Sequence, residues 1–240
     1  MTIAFVHDST GWGVDIDDTG NEQQAPGIGN GIAGRANPTP VQYLQSRADS
    51  ASGPGVAGII DLSIPGSTLP SMLNGTPPSI APLATQLAEL PVHADVVLIG
   101  QQINDQYVLN ESVAQYTAYI QQAIAVVVQY GAIPVYMEPN PISRSDANYA
   151  QTNAMVYAAD TAFANAGFPV LGNLSEWENN TAPPSASPWN IAWMSSDGVH
   201  PNDAGYAVKA SNYWSGAPSM MGTTTSLQSV INGVLSGINP

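Results

Sequence analysis

The sequence predicts an α/β fold, a three-layer α/β/α sandwich around a central, mostly five-stranded parallel sheet. Short apolar runs rich in β-branched residues alternate with longer amphipathic segments, which is typical of βαβ units. Hydrophobic residues make up 44% of the 240 residues, enough for a sizeable core. No charge block or long Gly/Ser tract divides the chain, so we expect one domain over residues 1–240.

Five segments are predicted to be strands because they are short, apolar and rich in β-branched side chains. In chain order they are Ile3–His7, Ala57–Ile64, Asp95–Gly100, Ala132–Met137 and Phe168–Leu171. Continuous apolar runs of this kind are expected where helices cover both faces of a parallel sheet.

The segments between these strands carry the three- and four-residue apolar spacing of amphipathic helices. The clearest is Glu111–Tyr130, which we expect Asn110 to cap and Gly131 to end. A second helix is predicted from about residue 146 to residue 166, and weaker ones cover about 40–48, 80–90, 203–213 and 227–235. The Gly-rich segment 11–37 is predicted to be irregular.

The charge balance excludes several classes of partner. Four basic residues stand against 18 acidic ones, a formal net charge of −14, and the basic residues are scattered singly. We therefore expect neither a nucleic acid nor an anionic membrane surface as partner. The chain has no run of 18 apolar residues for membrane insertion and no cysteine for disulfides or thiolate metal sites. The Lys-poor, amide-rich composition suggests an extracellular or virion-associated protein, although the N-terminus lacks the basic segment and apolar run of a signal peptide.

The ends of the predicted strands carry the candidate chemistry, because ligands of open parallel sheets bind at the carboxyl edge. The first strand runs into Asp8-Ser9, the second into Gly66 and the third into Asn104-Asp105. Far along the chain, Asp197 and His200 lie three residues apart. Ser, His and Asp together have the composition of a nucleophile, a base and an orienting acid.

These four segments resemble, in order, the sequence blocks of the SGNH hydrolases, also called the GDSL esterase/lipase family. The matching residues are Asp8-Ser9, Gly66, Asn104-Asp105 and the closing Asp197-Gly198-Val199-His200-Pro201. The resemblance spans residues 3 to about 214 and implies the SGNH type of α/β fold. It also implies ester hydrolysis that needs neither a cofactor nor a metal.

The resemblance assigns a role to each matching residue. Ser9 would attack the ester carbonyl, His200 would take its proton, and Asp197 would hold the imidazole. The backbone N–H groups of Ser9 and Gly66 and the side-chain amide of Asn104 would form the oxyanion hole.

Two positions depart from the family pattern. His7 replaces the usual Gly before Asp-Ser, and we interpret it as a structural residue, with a substrate contact as the alternative. The third block is two residues longer than usual, so Gln101 or Gln102 could supply the donor instead of Asn104. The intact Asn-Asp pair favours Asn104.

Several other residues are expected to support the site or to touch the substrate. Asp8 and Asp105 are expected to accept backbone N–H bonds beside the catalytic residues. Residues 15–22 look like a calcium loop but have Pro26 where a bidentate Glu belongs, so we expect a solvated loop without metal. Tryptophans before the Asp–His block either bind a sugar or pack the loop. They are Trp177, Trp189 and Trp193.

The sequence therefore predicts a serine esterase that acts on short acyl groups, most simply O-acetyl groups on a carbohydrate. The alternative is a catalytically decayed SGNH-fold module that binds a glycan or another partner. A flavodoxin-like cofactor protein would share the sheet topology. It is disfavoured because no Gly-x-Gly-x-x-Gly phosphate turn follows the first strand.

Overall fold

The computed structural model describes residues 1–143, 148–179 and 191–237. In chain order, its strands are β1 (Thr2–Val6), β2 (Glu22–Gln24), β3 (Ile32–Gly34), β4 (Gly58–Asp61), β5 (Val96–Ile99), β6 (Ile133–Met137) and β7 (Val170–Leu171). Five of them form one parallel sheet in the order β4-β1-β5-β6-β7. These five are the strands that the apolar runs predict.

The described helices lie between consecutive strands of the sheet and after the last one. They are α1 (Ser9–Trp12), α2 (Pro40–Ser52), α3 (Leu69–Asn74), α4 (Leu83–Ala88), α5 (Ile103–Tyr107), α6 (Val113–Tyr130), α7 (Tyr149–Asn165), α8 (Leu174–Asn179), α9 (Asp203–Ser215) and α10 (Leu227–Leu235). A 3₁₀ turn spans Ile191–Trp193. None of the helices in the described ranges combines the length and hydropathy needed to cross a bilayer.

The core lies in two layers, one on each face of the sheet. Along β1, Ala4 and Val6 face a cluster that includes side chains of α3, α4, α6 and α7. Ile3 and Phe5 face a second cluster that includes side chains of α2, α9 and α10. Alternate residues of one strand thus enter opposite layers, and the predicted three-layer α/β/α sandwich is confirmed.

Two local predictions are wrong. Ser112, not Asn110, caps α6, because the Ser112 side chain accepts the N–H of Gln115 while the Gln115 side chain accepts the N–H of Ser112. The segment 11–37 is not wholly irregular, since α1, β2 and β3 lie within it and β2 pairs antiparallel with β3. Gly131 ends α6 in the left-handed conformation, as predicted.

Candidate active site

The carboxyl edge of the sheet brings together three residues that are far apart in the sequence. Oγ of Ser9 lies 2.9 Å from Nε2 of His200, across 191 sequence positions. Nδ1 of His200 lies 2.6 Å from Oδ2 of Asp197. Both distances are within hydrogen-bonding range, so the arrangement has the geometry of a serine nucleophile, a base and an orienting acid.

The turn after β1 holds Ser9 at the start of α1. Oδ1 of Asp8 accepts the N–H of Thr10 at 2.8 Å and its hydroxyl at 2.9 Å, so Asp8 caps this short helix. Gly13 ends the helix with a φ of 90°. The N–H of Ser9 donates to no protein acceptor in the ranges that the structure describes, and it is therefore available to a bound group.

A tight loop before α9 fixes the acid and the base relative to each other. Oδ1 of Asp197 accepts the N–H groups of Val199 (2.8 Å) and His200 (3.0 Å), which directs Oδ2 to the imidazole. The N–H of Ser195 donates to the carbonyl of His200 at 2.8 Å and closes the loop. The carboxylate is therefore oriented by the backbone before it orients the ring.

The electrostatics of Asp197 suit this role. Partial burial raises the pKa of its carboxyl group, but the hydrogen bond and charge interaction with His200 outweigh burial, so the pKa lies below its usual value. Asp197 is therefore ionised at neutral pH. An ionised carboxylate keeps the proton on Nδ1 of His200 and presents the lone pair of Nε2 to Ser9.

Gly66 and Asn104 lie side by side near this edge. Gly66 follows β4 with a φ of 78°, a left-handed conformation that favours glycine. The amide nitrogen of Asn104, in α5, donates to the carbonyl of Ser67 at 3.0 Å and ties α5 to the Gly66 turn. Within the described residues, the N–H of Gly66 has no acceptor.

The two glutamines that could replace Asn104 as donor are fully buried. Nε2 of Gln102 donates to Oε1 of Gln106 at 2.7 Å and lies 3.9 Å from Sδ of Met155 in α7. Neither amide atom of Gln101 has a protein partner among the described residues, but both atoms are shielded from solvent. Asn104 is only partly buried, which favours its side chain over the two glutamines as a donor to a bound group.

Asp105 supports the start of α3, three residues after Gly66. Its Oδ1 accepts the N–H of Leu69, the first residue of α3, at 2.8 Å. Burial raises the pKa of Asp105 well above its usual value, although the bond from Leu69 lowers it, and the charges of Glu111 and Asp8 raise it further. Its position fits the support role expected from the sequence.

His7, which stands where the family pattern has glycine, is fully buried. A Cβ atom at Gly11 would lie 2.2 Å from Cβ of His7, and one at Gly100 would lie 2.2 Å from its Cδ2. The ring therefore occupies space that two glycines leave open. Its Nδ1 lies 2.9 Å from the backbone nitrogen and 3.0 Å from Oδ1 of Asp8. Its burial favours the structural role over contact with the substrate.

The acidic stretch after α1 makes contacts that the sequence did not suggest. Oδ1 of Asp15 accepts the hydroxyl of Ser195 at 2.9 Å. The carboxylate of Asp17 accepts the N–H of Ser196 at 2.7 Å and its hydroxyl at 2.6 Å. This stretch therefore holds the loop that carries Asp197. No group of three or more acidic or His side chains in the described ranges could hold a metal ion.

The tryptophans before the Asp–His block differ in exposure. Trp177 is fully buried, and its indole N–H donates to Oδ1 of Asn173 at 3.0 Å. Trp193 is only partly buried and packs edge-on against Trp177, with 5.2 Å between the ring centroids. Trp189 lies outside the described residues. Trp177 is thus a packing residue, and Trp193 keeps some exposed surface close to the His200 loop.

One buried residue near Ser9 belongs to none of the motifs that the sequence indicates. Lys209, on α9, is 1% exposed and donates to Oγ1 of Thr10 at 2.9 Å and to Oδ1 of Asn140 at 3.2 Å. The one sequence feature that indicates its burial is its position on the same face of α9 as Tyr206, Ala210 and Tyr213, which are also buried.

Comparison with known proteins gives a match at the level of structure only. No protein-family model and no curated protein matches the chain. Among solved structures, LAE5, an alpha/beta hydrolase enzyme from the metagenome of Lake Arreo, is 15% identical with a TM-score of 0.61, over 88% of this chain and 92% of its own.

Two further structures match in the same way. Axe2, an acetylxylan esterase from Geobacillus stearothermophilus, is 16% identical with a TM-score of 0.60, over 88% of this chain and 91% of its own. An SGNH hydrolase candidate from Slackia heliotrinireducens is 16% identical with a TM-score of 0.53, over 88% and 96%. These similarities show that the chain has the fold of the SGNH hydrolases.

Proposed function

We propose that this protein is a serine ester hydrolase that works through an acyl-enzyme. The observation that carries the proposal is the pair of hydrogen bonds from Ser9 to His200 and from His200 to Asp197. In the first half-reaction, Oγ of Ser9 bonds to the ester carbonyl carbon while Nε2 of His200 takes its proton and passes it to the leaving alcohol. In the second, water gives a proton to Nε2 and attacks the acyl carbon; the bond between that carbon and Oγ then breaks, Nε2 returns the proton to Oγ, and the acid leaves.

The negative charge that develops on the carbonyl oxygen needs donors aimed at it. We assign this role to the N–H groups of Ser9 and Gly66 and to the side-chain amide of Asn104. The two backbone groups have no acceptor within the described part of the chain, and Asn104 is bonded to the Gly66 turn. One such donor is worth about 10²–10³ in kcat.

For the substrate, we propose a carbohydrate bearing short acyl esters, with O-acetyl groups as the simplest case. Two observations support this choice. Trp193 is only partly buried and lies beside the His200 loop, where an indole ring could stack on a sugar. One structure with the same fold is described as an acetylxylan esterase.

The competing idea, a decayed binding module, rested on His7 and on the lengthened third block. In the structure, His7 fills space left by Gly11 and Gly100, and the longer block leads into α5 with Asn104 beside the Gly66 turn. Neither feature displaces the hydrogen bonds of Ser9, His200 and Asp197. These observations favour the enzyme over the binding module.

A fluorophosphonate label tests the proposal directly, because it reacts with activated serines. We expect wild-type protein to be labelled at Ser9 and Ser9→Ala to lose both the label and the turnover of p-nitrophenyl acetate. Ser79→Ala is the control, since Ser79 is also buried but its hydroxyl bonds to that of Ser71 and not to a histidine. Folded wild-type protein that takes up no label would favour the binding module.

The substrate class is tested separately from the mechanism. We expect kcat/KM to fall steeply from p-nitrophenyl acetate to the octanoate ester, and we expect acetate release from acetylated oligosaccharides. If Trp193 stacks on the sugar, Trp193→Leu should raise KM for the oligosaccharide and leave KM for p-nitrophenyl acetate unchanged. A preference for the octanoate ester would contradict the short-acyl assignment.

A further inference from the structure

Lys209 is the only lysine in the chain, and it is buried in α9 with 1% of its surface exposed. Lysine is almost never fully buried unless its ammonium group is paired. Burial lowers the pKa of Lys209 to about 7, and the charge of Asp8 opposes that shift. Because burying this amino group is unfavourable, we expect the contacts of Lys209 to serve a function that offsets the cost.

The amino group of Lys209 contacts three different segments. It donates to Oγ1 of Thr10 (2.9 Å) and to Oδ1 of Asn140 (3.2 Å), and it lies 3.5 Å from Nε2 of His7. Thr10 and His7 belong to the turn that holds Ser9, while Asn140 follows β6. One side chain thus ties α9 to two strand ends of the sheet.

Asn140 extends this connection to the other half of the candidate site. Its Nδ2 donates to the carbonyl of Val199 at 3.2 Å, and Val199 is the residue before His200. A continuous path of hydrogen bonds therefore runs from Thr10, next to Ser9, through Lys209 and Asn140 to the base loop. This path is independent of the direct bond between Ser9 and His200.

We propose that Lys209 is a positioning residue that, with Asn140, sets the distance between Oγ of Ser9 and Nε2 of His200. This inference rests on the proposed serine-hydrolase function. A misplacement of about 1 Å between reacting groups can cost about 10²-fold in rate. The Lys209–Asn140 bridge joins the two segments whose separation fixes that distance.

The test compares Lys209→Met with Tyr213→Phe. Methionine keeps the length of the buried side chain but cannot donate to Thr10 or Asn140. Tyr213 lies one turn later on α9, is equally buried and donates its hydroxyl to the carbonyl of Glu138, two residues before Asn140, and not to Thr10, Lys209 or Asn140. Tyr213→Phe therefore removes a buried hydrogen bond from the same helix without touching the bridge.

For Lys209→Met we expect kcat on p-nitrophenyl acetate and the rate of phosphonate labelling at Ser9 to fall together by about 10–100-fold. KM should stay within about threefold, because the bridge does not touch the bound ester. For Tyr213→Phe we expect both rates within about twofold of wild type. Thermal unfolding curves confirm that each variant is folded at the assay temperature.

Folded Lys209→Met with wild-type kcat would overturn the inference, as would an equal loss in Tyr213→Phe. If Lys209→Met does not fold, Asn140→Asp decides. It keeps an oxygen for Lys209 but sets a carboxylate oxygen against the carbonyl of Val199, so kcat should fall and an unchanged kcat refutes the bridge. Wild-type protein without turnover or label would overturn the proposed function, and this inference with it.

Discussion

Replacing Asp197 with Asn tests how the base is oriented. An Asn side chain can keep the two bonds from the N–H groups of Val199 and His200 with its oxygen. Its NH₂ group then lies where Oδ2 now accepts from Nδ1 at 2.6 Å. Because NH₂ donates, it favours the imidazole tautomer whose proton is on Nε2. That tautomer cannot accept the proton of Ser9.

The size of the effect follows from this change of tautomer. A correctly placed imidazole in the wrong tautomer lowers kcat by about 10⁴-fold, which is about 5 kcal/mol in activation free energy at 1.36 kcal/mol per decade. The substitution leaves the oxyanion donors and the substrate surface in place. We therefore expect KM to change by less than about threefold.

Steady-state hydrolysis of p-nitrophenyl acetate measures both constants. Asp203→Asn is the matched control, because Asp203 lies three residues beyond His200 and accepts the N–H of Asn37 instead of contacting the imidazole. We expect this control to retain wild-type kcat. Asp197→Asn that keeps more than about a tenth of kcat would show that proton transfer does not depend on this carboxylate, and the reasoning would fail.

Two further predictions concern the oxyanion donors and stability. Gly66→Ala and Asn104→Ala should each lower kcat by about 10²–10³. Gly66→Ala should also lower the melting temperature, because a φ of 78° is strained for alanine. Wild-type kcat in both variants would contradict the assignment of these residues to the oxyanion hole. Burial and the charge of Glu138 raise the pKa of Asp160 to about 9. The folded state therefore binds this proton more tightly than the unfolded state, and the contribution of Asp160 to the free energy of unfolding falls as pH rises from about 4 to 9. Asp160→Asn should weaken that fall in calorimetry between pH 5 and 9, and identical slopes would contradict it.

The sequence was sufficient to predict the five strands of the sheet and to predict which side chains lie at its carboxyl edge. The apolar runs of β1 and β5 are long enough to be recognised, and their helix-covered faces leave no alternation to confuse the assignment. The hairpin of β2 and β3 was missed because its strands are three residues long and Glu22–Gln24 is entirely polar. The Asn110 cap was wrong although Ser112 and Gln115 already carry capping-box spacing.

The residues that hold the site together could not be assigned from the sequence. A single Lys, or an acid in a polar loop, is usually a solvated surface residue. Asp15 and Ser195 lie 180 positions apart, and Lys209 and Thr10 lie 199 positions apart. Only the folded sheet brings such pairs together, and His7 could be placed only once Gly11 and Gly100 were seen beside it.

The central claim is that an acyl group passes through Ser9. The most direct test is to quench the reaction with p-nitrophenyl acetate within one turnover and to locate the bound acetyl group by peptide mass spectrometry. We predict acetyl on Ser9 in wild type, and none at this position in Ser9→Ala or His200→Ala. Acetyl on another residue, or rapid turnover without any acetylated protein, would contradict the account.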